Sequence, residues 1–129
     1  MKIEHKEVNF RDDRGEIIDI FTKDPQDHGT IIYTKQGAVR GNHYHKQTVQ
    51  TIFIVSGKLR VLSQKVGESN IDEVVLIPND LMVHEPSEAH TFIAEENTIF
   101  LAFSKGLRGG KDYEKDTFRL EVPLQTSKQ

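Results

Sequence analysis

At 129 residues the chain is long enough for one ordinary domain and too short for two comfortable ones. It is 36% hydrophobic and 29% charged, with a formal net charge of -3 from 17 Lys and Arg against 20 Asp and Glu. That balance suits a compact protein with a wet surface and gives no reason to expect nucleic acid or a membrane as partner. The absence of cysteine excludes a disulfide framework, a thiol nucleophile and any Cys-ligated metal, which leaves His, carboxylate or amide ligands for any ion.

Met1 to Glu7 lacks the apolar core of a secretory signal, and no run approaches the roughly 20 apolar residues that cross a bilayer. A cytoplasmic location is the expectation. Further along, the apolar runs are short, rich in β-branched residues and punctuated by turn residues. The turn Asp12-Asp13-Arg14-Gly15 leads into a strand over 16–21, and a second strand spans 30–35. Strands at 51–56 and 58–64 flank Ser56-Gly57 and read as a hairpin. A loop at Gly67 to Asn70 precedes a strand over 71–77, which stops at Pro78. The short run Leu81 to His84 precedes Pro86, and strands over 90–94 and 98–104 flank Glu95-Glu96-Asn97. Lys105 to Asp116 reads as a long loop before a last strand at 117–122, and 125–129 as a frayed tail. The glycines at 106–110 show no phosphate-loop pattern, so an ordinary surface loop is expected there.

No window carries a sustained helical stripe, so an all-β sandwich or barrel occupying 1–124 as a single domain is expected. Strands 51–55 and 98–103 are apolar on both faces. One face would line the interior and the other would suit a subunit interface, which points to a homodimer.

Six histidines stand at 5, 28, 43, 45, 84 and 90. In Gly41-Asn42-His43-Tyr44-His45, two histidines two apart on a strand point to one face. Gln50 follows within reach, and His90 lies on a distant strand that a barrel would bring alongside. His84, on an apolar strand, reads either as a wall histidine or as a ligand. His5 and His28 carry no motif and read as surface residues.

These residues resemble the cupin superfamily, whose first motif reads G-x5-H-x-H-x4-E-x6-G. Gly37, His43, His45, Gln50 and Gly57 fall at those spacings, with Gln50 in the glutamate position. Of the second motif, Pro86 and His90 match, while Glu88 stands where glycine is usual. The resemblance implies an all-β, cupin-type double-stranded β-helix, a small jelly-roll barrel. It does not by itself choose a chemistry.

Val39 to Lys46 resembles the Arg-Gly-x-His-x-His-Lys segment of dTDP-sugar 3,4-ketoisomerases and the Arg-Gly-x-His-Tyr segment of dTDP-4-dehydrorhamnose 3,5-epimerases. Arg11-Asp12-Asp13-Arg14-Gly15-Glu16 is similar to the Asp-x-Arg-Gly stretch near the start of both. Asn42 stands where those families carry an apolar residue. The resemblance implies a nucleotide-sugar isomerase or epimerase of polysaccharide precursor synthesis that needs no cofactor, with His43 as the base. Histidine suits removal of a proton beside a ketone because it titrates near neutrality. Tyr33, Tyr44 and His45 are candidates for oxyanion donor or proton shuttle, and Arg40 and Lys46 for phosphate contact. Gln50 and His90 complete the substrate pocket.

A second reading of the same residues is a metal cupin, such as a dioxygenase or small-molecule isomerase. There His43, His45, Gln50 and His90 would hold Fe, Mn, Ni or Zn. A third is a sugar-binding cupin module without turnover.

Overall fold

The computed structural model describes residues 1–106 and 115–127. In chain order these form β1 (Lys2–His5), β2 (Phe10–Asp12), β3 (Gly15–Ile17), β4 (His28–Thr34), β5 (Val39–Tyr44) and β6 (Val49–Ser56). Then come β7 (Leu59–Lys65), β8 (Asp72–Leu76), β9 (Asp80–His84), β10 (Glu88–Ala94), β11 (Thr98–Lys105), β12 (Phe118–Arg119) and a short helix, α1 (Leu124–Ser127). Two five-stranded sheets, ordered β1-β9-β6-β11-β4 and β12-β5-β10-β7-β8, face each other, and β2 and β3 form a separate hairpin. Every pairing is antiparallel. This is the barrel that the cupin-like motif implies.

Strand alternation builds the core. Ile52, Ile54, Met82, Phe100 and Ala102 point inward from the first sheet and meet Leu59, Val61, Leu76 and Phe92 from the second, all nearly or fully buried. The outer face of the second sheet has its own small cluster, Leu62, Ala89 and Ile93, covered by Leu124 and partly by Tyr44, Ile71 and Leu120. Residues 118–127 therefore strap across that sheet.

The structure corrects the expected hairpin across Ser56-Gly57. β6 and β7 lie in different sheets, so this turn is a corner that carries the chain from one layer to the other. The reason is packing: β6 is apolar on both faces and belongs at the centre of its sheet, between β9 and β11. Gly57 sits at φ +93°, where a side chain would be strained, and an added Cβ would lie 2.4 Å from the Asn97 carbonyl oxygen. Lys58 N also donates to Thr98 Oγ1 at 3.1 Å, and Glu95 N to the Lys58 carbonyl at 2.9 Å. The two sheet-crossing corners are thus locked together at one end of the barrel.

Other boundaries move. The strand expected over 16–21 is only Gly15–Ile17, paired with β2 in a hairpin. The last strand shrinks from 117–122 to Phe118–Arg119, and the expected tail begins as ordered helix, with Leu124 buried. The expected long loop over 105–116 and the end of the tail fall largely outside the described residues. Two strands, β1 and β2, are missing from the sequence reading, and β5 and β9 enter it only as short stretches around histidines. All four are short or interrupted by Gly and charged residues, which hides the period of two.

Replacing Gly57 by alanine is expected to lower stability by about 2–3 kcal/mol, because backbone strain and an unrelievable clash coincide. A urea titration would show this as a lower midpoint with unchanged slope.

Candidate functional site

The histidines gather at the end of the barrel opposite the locked corners. β5 pairs with β10 so that His43 faces His90, but Gly41, not Asn42, faces Thr91. Asn42 is the extra residue of a β-bulge. Gly41 and Asn42 take φ of +93° and +57°, and a Cβ on Gly41 would meet the His90 carbonyl oxygen at 2.8 Å. The bulge has a chemical consequence. Residues three apart on a regular strand point to opposite faces. With one residue inserted, Arg40 and His43 point to the same side, inward, opposite Phe92 and His90.

A cavity of about 220 Å³ results. Ile32, Phe92 and Phe100 form its apolar floor, His43 and Gln50 its wall, and Arg40 and Arg119 its rim. The ring of His43 lies 4.7 Å from that of His90 and 5.0 Å from that of His45, centroid to centroid. One nitrogen from each of these three rings lies within 4.8 Å of the others. All three side chains are buried, as is Gln50. Gln50 Oε1 and His90 Nε2 are buried with no hydrogen-bond partner among the described residues.

Backing groups orient the rings. His45 Nδ1 lies 2.7 Å from the Asp116 carbonyl oxygen, so Nδ1 carries the proton and Nε2 presents its lone pair. The Asp116 carboxylate accepts from Lys46 N, Gln47 N, Thr48 N and Thr48 Oγ1 at 2.8–3.0 Å. Burial pushes this carboxyl up, but those donors outweigh it and hold it below the usual carboxylate range. Behind His90, the fully buried His84 packs with its ring tilted, centroids 4.6 Å apart, and places Nδ1 3.1 Å from Glu88 Oε1. Glu88 in turn receives the Met1 amino group at 2.9 Å. Burial raises the Glu88 carboxyl, yet His84 and the amino group bring it below its ordinary value. His90 is pushed well below the ordinary histidine value, first by burial and then by His84, His43 and His45. His84 is lowered by burial, against the pull of Glu88. At neutral pH, His84 and His90 are therefore neutral imidazoles.

Of the residues expected from sequence, His43, His45, Gln50, His90 and Arg40 converge. Three do not. Tyr44 lies between two inward histidines, so alternation turns it outward, where it stacks on Phe118 at 5.4 Å. Lys46 holds its ammonium over the same Phe118 ring at 4.3 Å instead of at the cavity. Tyr33 is 65% exposed on the outer side of β4; its carbonyl oxygen accepts from Arg40, and its side chain borders a different depression. His84 resolves as a wall residue, outside the three-histidine group. His5 and His28 are at the surface, as expected. Sequence reasoning missed Arg119, which pairs with His43 across β12, and Asp116, which anchors His45 from 71 positions away. Neither belongs to any motif.

Fold and site together define a cupin-type barrel with a histidine pocket. The model of the polysaccharide biosynthesis C-terminal domain matches residues 10–98, and the chain belongs to that family. A 3,4-ketoisomerase from Helicobacter canadensis superposes with a TM-score of 0.79 at 19% identity, over 99% of this chain and 97% of that one. For a dTDP-6-deoxy-D-glucose-3,5-epimerase from Legionella pneumophila, in complex with dTDP-4-keto-L-rhamnose, the TM-score is 0.78 at 15% identity, over 97% and 75%. The capsular polysaccharide assembling protein CapF of Staphylococcus aureus gives 0.65 at 23%, over 91% of this chain and 33% of that one. At such identities the likeness establishes the fold. No curated protein sequence matches the chain. Among the described residues, no helix is long and apolar enough to cross a membrane.

Neutral buried histidines set a pH dependence. Their native pKa values lie below the unfolded value near 6.5, so between the two the unfolded chain binds more protons. Stability is therefore full above about pH 6.5 and is lost as pH falls from there toward the folded pKa values. In chelator-treated protein the urea midpoint should fall between pH 7.5 and 5, and His90→Gln should flatten that fall.

Proposed function

We propose that this chain is a nucleotide-sugar isomerase or epimerase in which His43 removes a proton from the carbon beside a ketone. The observation that carries this reading is the union of His43 with two guanidinium groups around one cavity about large enough for a sugar ring. Arg40 and Arg119 at the rim suit a diphosphate, which guanidinium binds bidentately. The apolar floor of Phe92 and Phe100 keeps water from the reacting carbon. The neighbouring 3,4-ketoisomerase and the 3,5-epimerase with its bound dTDP-sugar support the same substrate class.

In this mechanism the neutral imidazole of His43 accepts the proton, and the electron pair of the C–H bond moves into the carbonyl to give an enediolate. Return of a proton to the adjacent carbon moves the ketone; return to the same carbon from the other face inverts it. His45, with Nδ1–H held by Asp116, offers Nε2 as an acceptor for a substrate hydroxyl. Neutral His90 beside His43 adds no positive charge to oppose formation of the imidazolium.

A second reading is favoured by one observation: three imidazole nitrogens within 4.8 Å, beside Gln50 Oε1 and His90 Nε2, which have no partner among the described residues. His43, His45, His90 and Gln50 fit an Fe, Mn, Ni or Zn ion, and such an ion, when bound, would polarise a substrate oxygen. The broader proposal places the chain in the cytoplasm as a homodimer. The outer face of the first sheet supports the dimer, since Ile31 and Val55 are about half exposed there. Light scattering should give twice the chain mass.

His43→Ala should lower kcat about 10²- to 10⁴-fold with little change in KM, because a base acts in the transition state. Exchange of solvent deuterium into the carbon beside the ketone should vanish in the same variant. Exchange at the wild-type rate would show that His43 is not the base. Elemental analysis separates the two readings: activity retained in chelator supports the first, and stoichiometric metal whose removal abolishes exchange supports the second.

A further inference from the structure

We infer that Asn42 is a positioning residue: it ties the C-terminal strap to the bulge and thereby fixes Arg119 opposite His43. Within the strap, β12 pairs with β5 over two residues, Phe118 with Tyr44 and Arg119 with His43. Partners across an antiparallel ladder share a face, so this pairing turns Arg119 inward with His43. A two-residue ladder is a weak hold on a functional side chain. Asp116 anchors the chain ahead of β12, and Asn42 holds it beyond. Its carbonyl oxygen accepts from Leu120 N at 2.9 Å, just beyond β12. Its Oδ1 accepts both from Leu124 N at 2.9 Å and from Thr91 Oγ1 at 2.6 Å. Its Nδ2 donates to Gln125 Oε1 at 3.0 Å. One side chain thus joins β5, β10 and α1.

Chemistry explains why asparagine serves here. The bulge needs a left-handed residue, and asparagine tolerates φ of +57° better than most. The amide offers an acceptor and a donor on one short stem, and Asn42 uses both. An apolar residue at this position, as in the resembled families, would supply none of the three side-chain bonds. The strap of this chain is therefore keyed to its own bulge. Asn42 does not line the cavity; it acts through Arg119 and His43.

The assignment rests on His43 and Arg119 being the working groups of the cavity, and its test separates the two. Asn42→Gly keeps the left-handed backbone and removes the side-chain ties. In amide hydrogen exchange of the full chain, Leu120 and Leu124 should lose protection at least about tenfold, while Ile54, Phe92 and Phe100 keep theirs. The imidazole resonances of His43 should shift as well. Asn42→Asp, which keeps Oδ1, should restore protection at Leu124. Wild-type protection of the strap, or an equal loss across the whole barrel, overturns the inference. The functional arm measures dTDP binding. Asn42→Gly and Arg119→Gln should each weaken it by about tenfold, and the double variant by about tenfold rather than a hundredfold, because both remove one contribution. Multiplying effects would show that Asn42 does not act through Arg119. Absence of dTDP binding by the wild-type chain would sink the nucleotide reading, while hydrogen exchange still decides the role of Asn42.

Discussion

One inserted residue governs the site. The bulge at Gly41-Asn42 breaks the alternation of β5 and turns Arg40 to the side of His43. It requires a glycine whose Cβ position is filled by the His90 carbonyl, and a second residue that accepts a left-handed backbone. Deleting the insertion would restore regular pairing and send either the arginine or the histidines to the outer face. Arg40 and His43 are thus brought to one cavity by backbone register, not by side-chain flexibility.

Burial sets the protonation of the cluster, and backing hydrogen bonds set its orientation. Clustered imidazoles in an apolar barrel mouth repel as cations and desolvate poorly, so His84 and His90 stay neutral. Neutral rings need their tautomers fixed. Asp116 does this for His45 through its main-chain carbonyl, while its side chain caps three successive amides at 46–48. One residue therefore shapes the turn after β5 and the ring that precedes it. Glu88 does the comparable work for His84, and Glu88 stands where the cupin pattern carries glycine. The departure from the motif marks a partner for a histidine.

The barrel was legible in the sequence because turn residues punctuate its longest strands, and the histidine pair because a spacing of two survives any strand. What escaped was whatever depends on distant pairing. Ser56-Gly57 looks like a hairpin turn by composition; only the two-sided burial of β6 decides that the chain crosses to the other sheet. Tyr44 and Lys46 were drawn into the expected site by family likeness, although alternation from His43 and His45 already turned Tyr44 outward. Tyr33 shares a strand with Ile32, a floor residue, and its odd neighbour position sends it to the surface. Arg119 and Asp116 carry no local signal, since each works only after β12 and the turn after β5 have met.

The arrangement also explains how one pocket supports two chemical readings. A base needs one imidazole with a free lone pair and neutral neighbours; a metal needs several such lone pairs converging. Burial without compensating partners produces both conditions at once, as at His90 Nε2 and Gln50 Oε1. What differs is whether the substrate or an ion satisfies those groups first. The apolar floor and paired arginines are common to both readings, because they line the cavity whichever group meets the histidines. In the proposed function, substrate recognition would therefore sit in the frame of the barrel, at Phe92, Phe100, Arg40 and the strap-borne Arg119, and the chemistry in the histidines that the bulge aims at it.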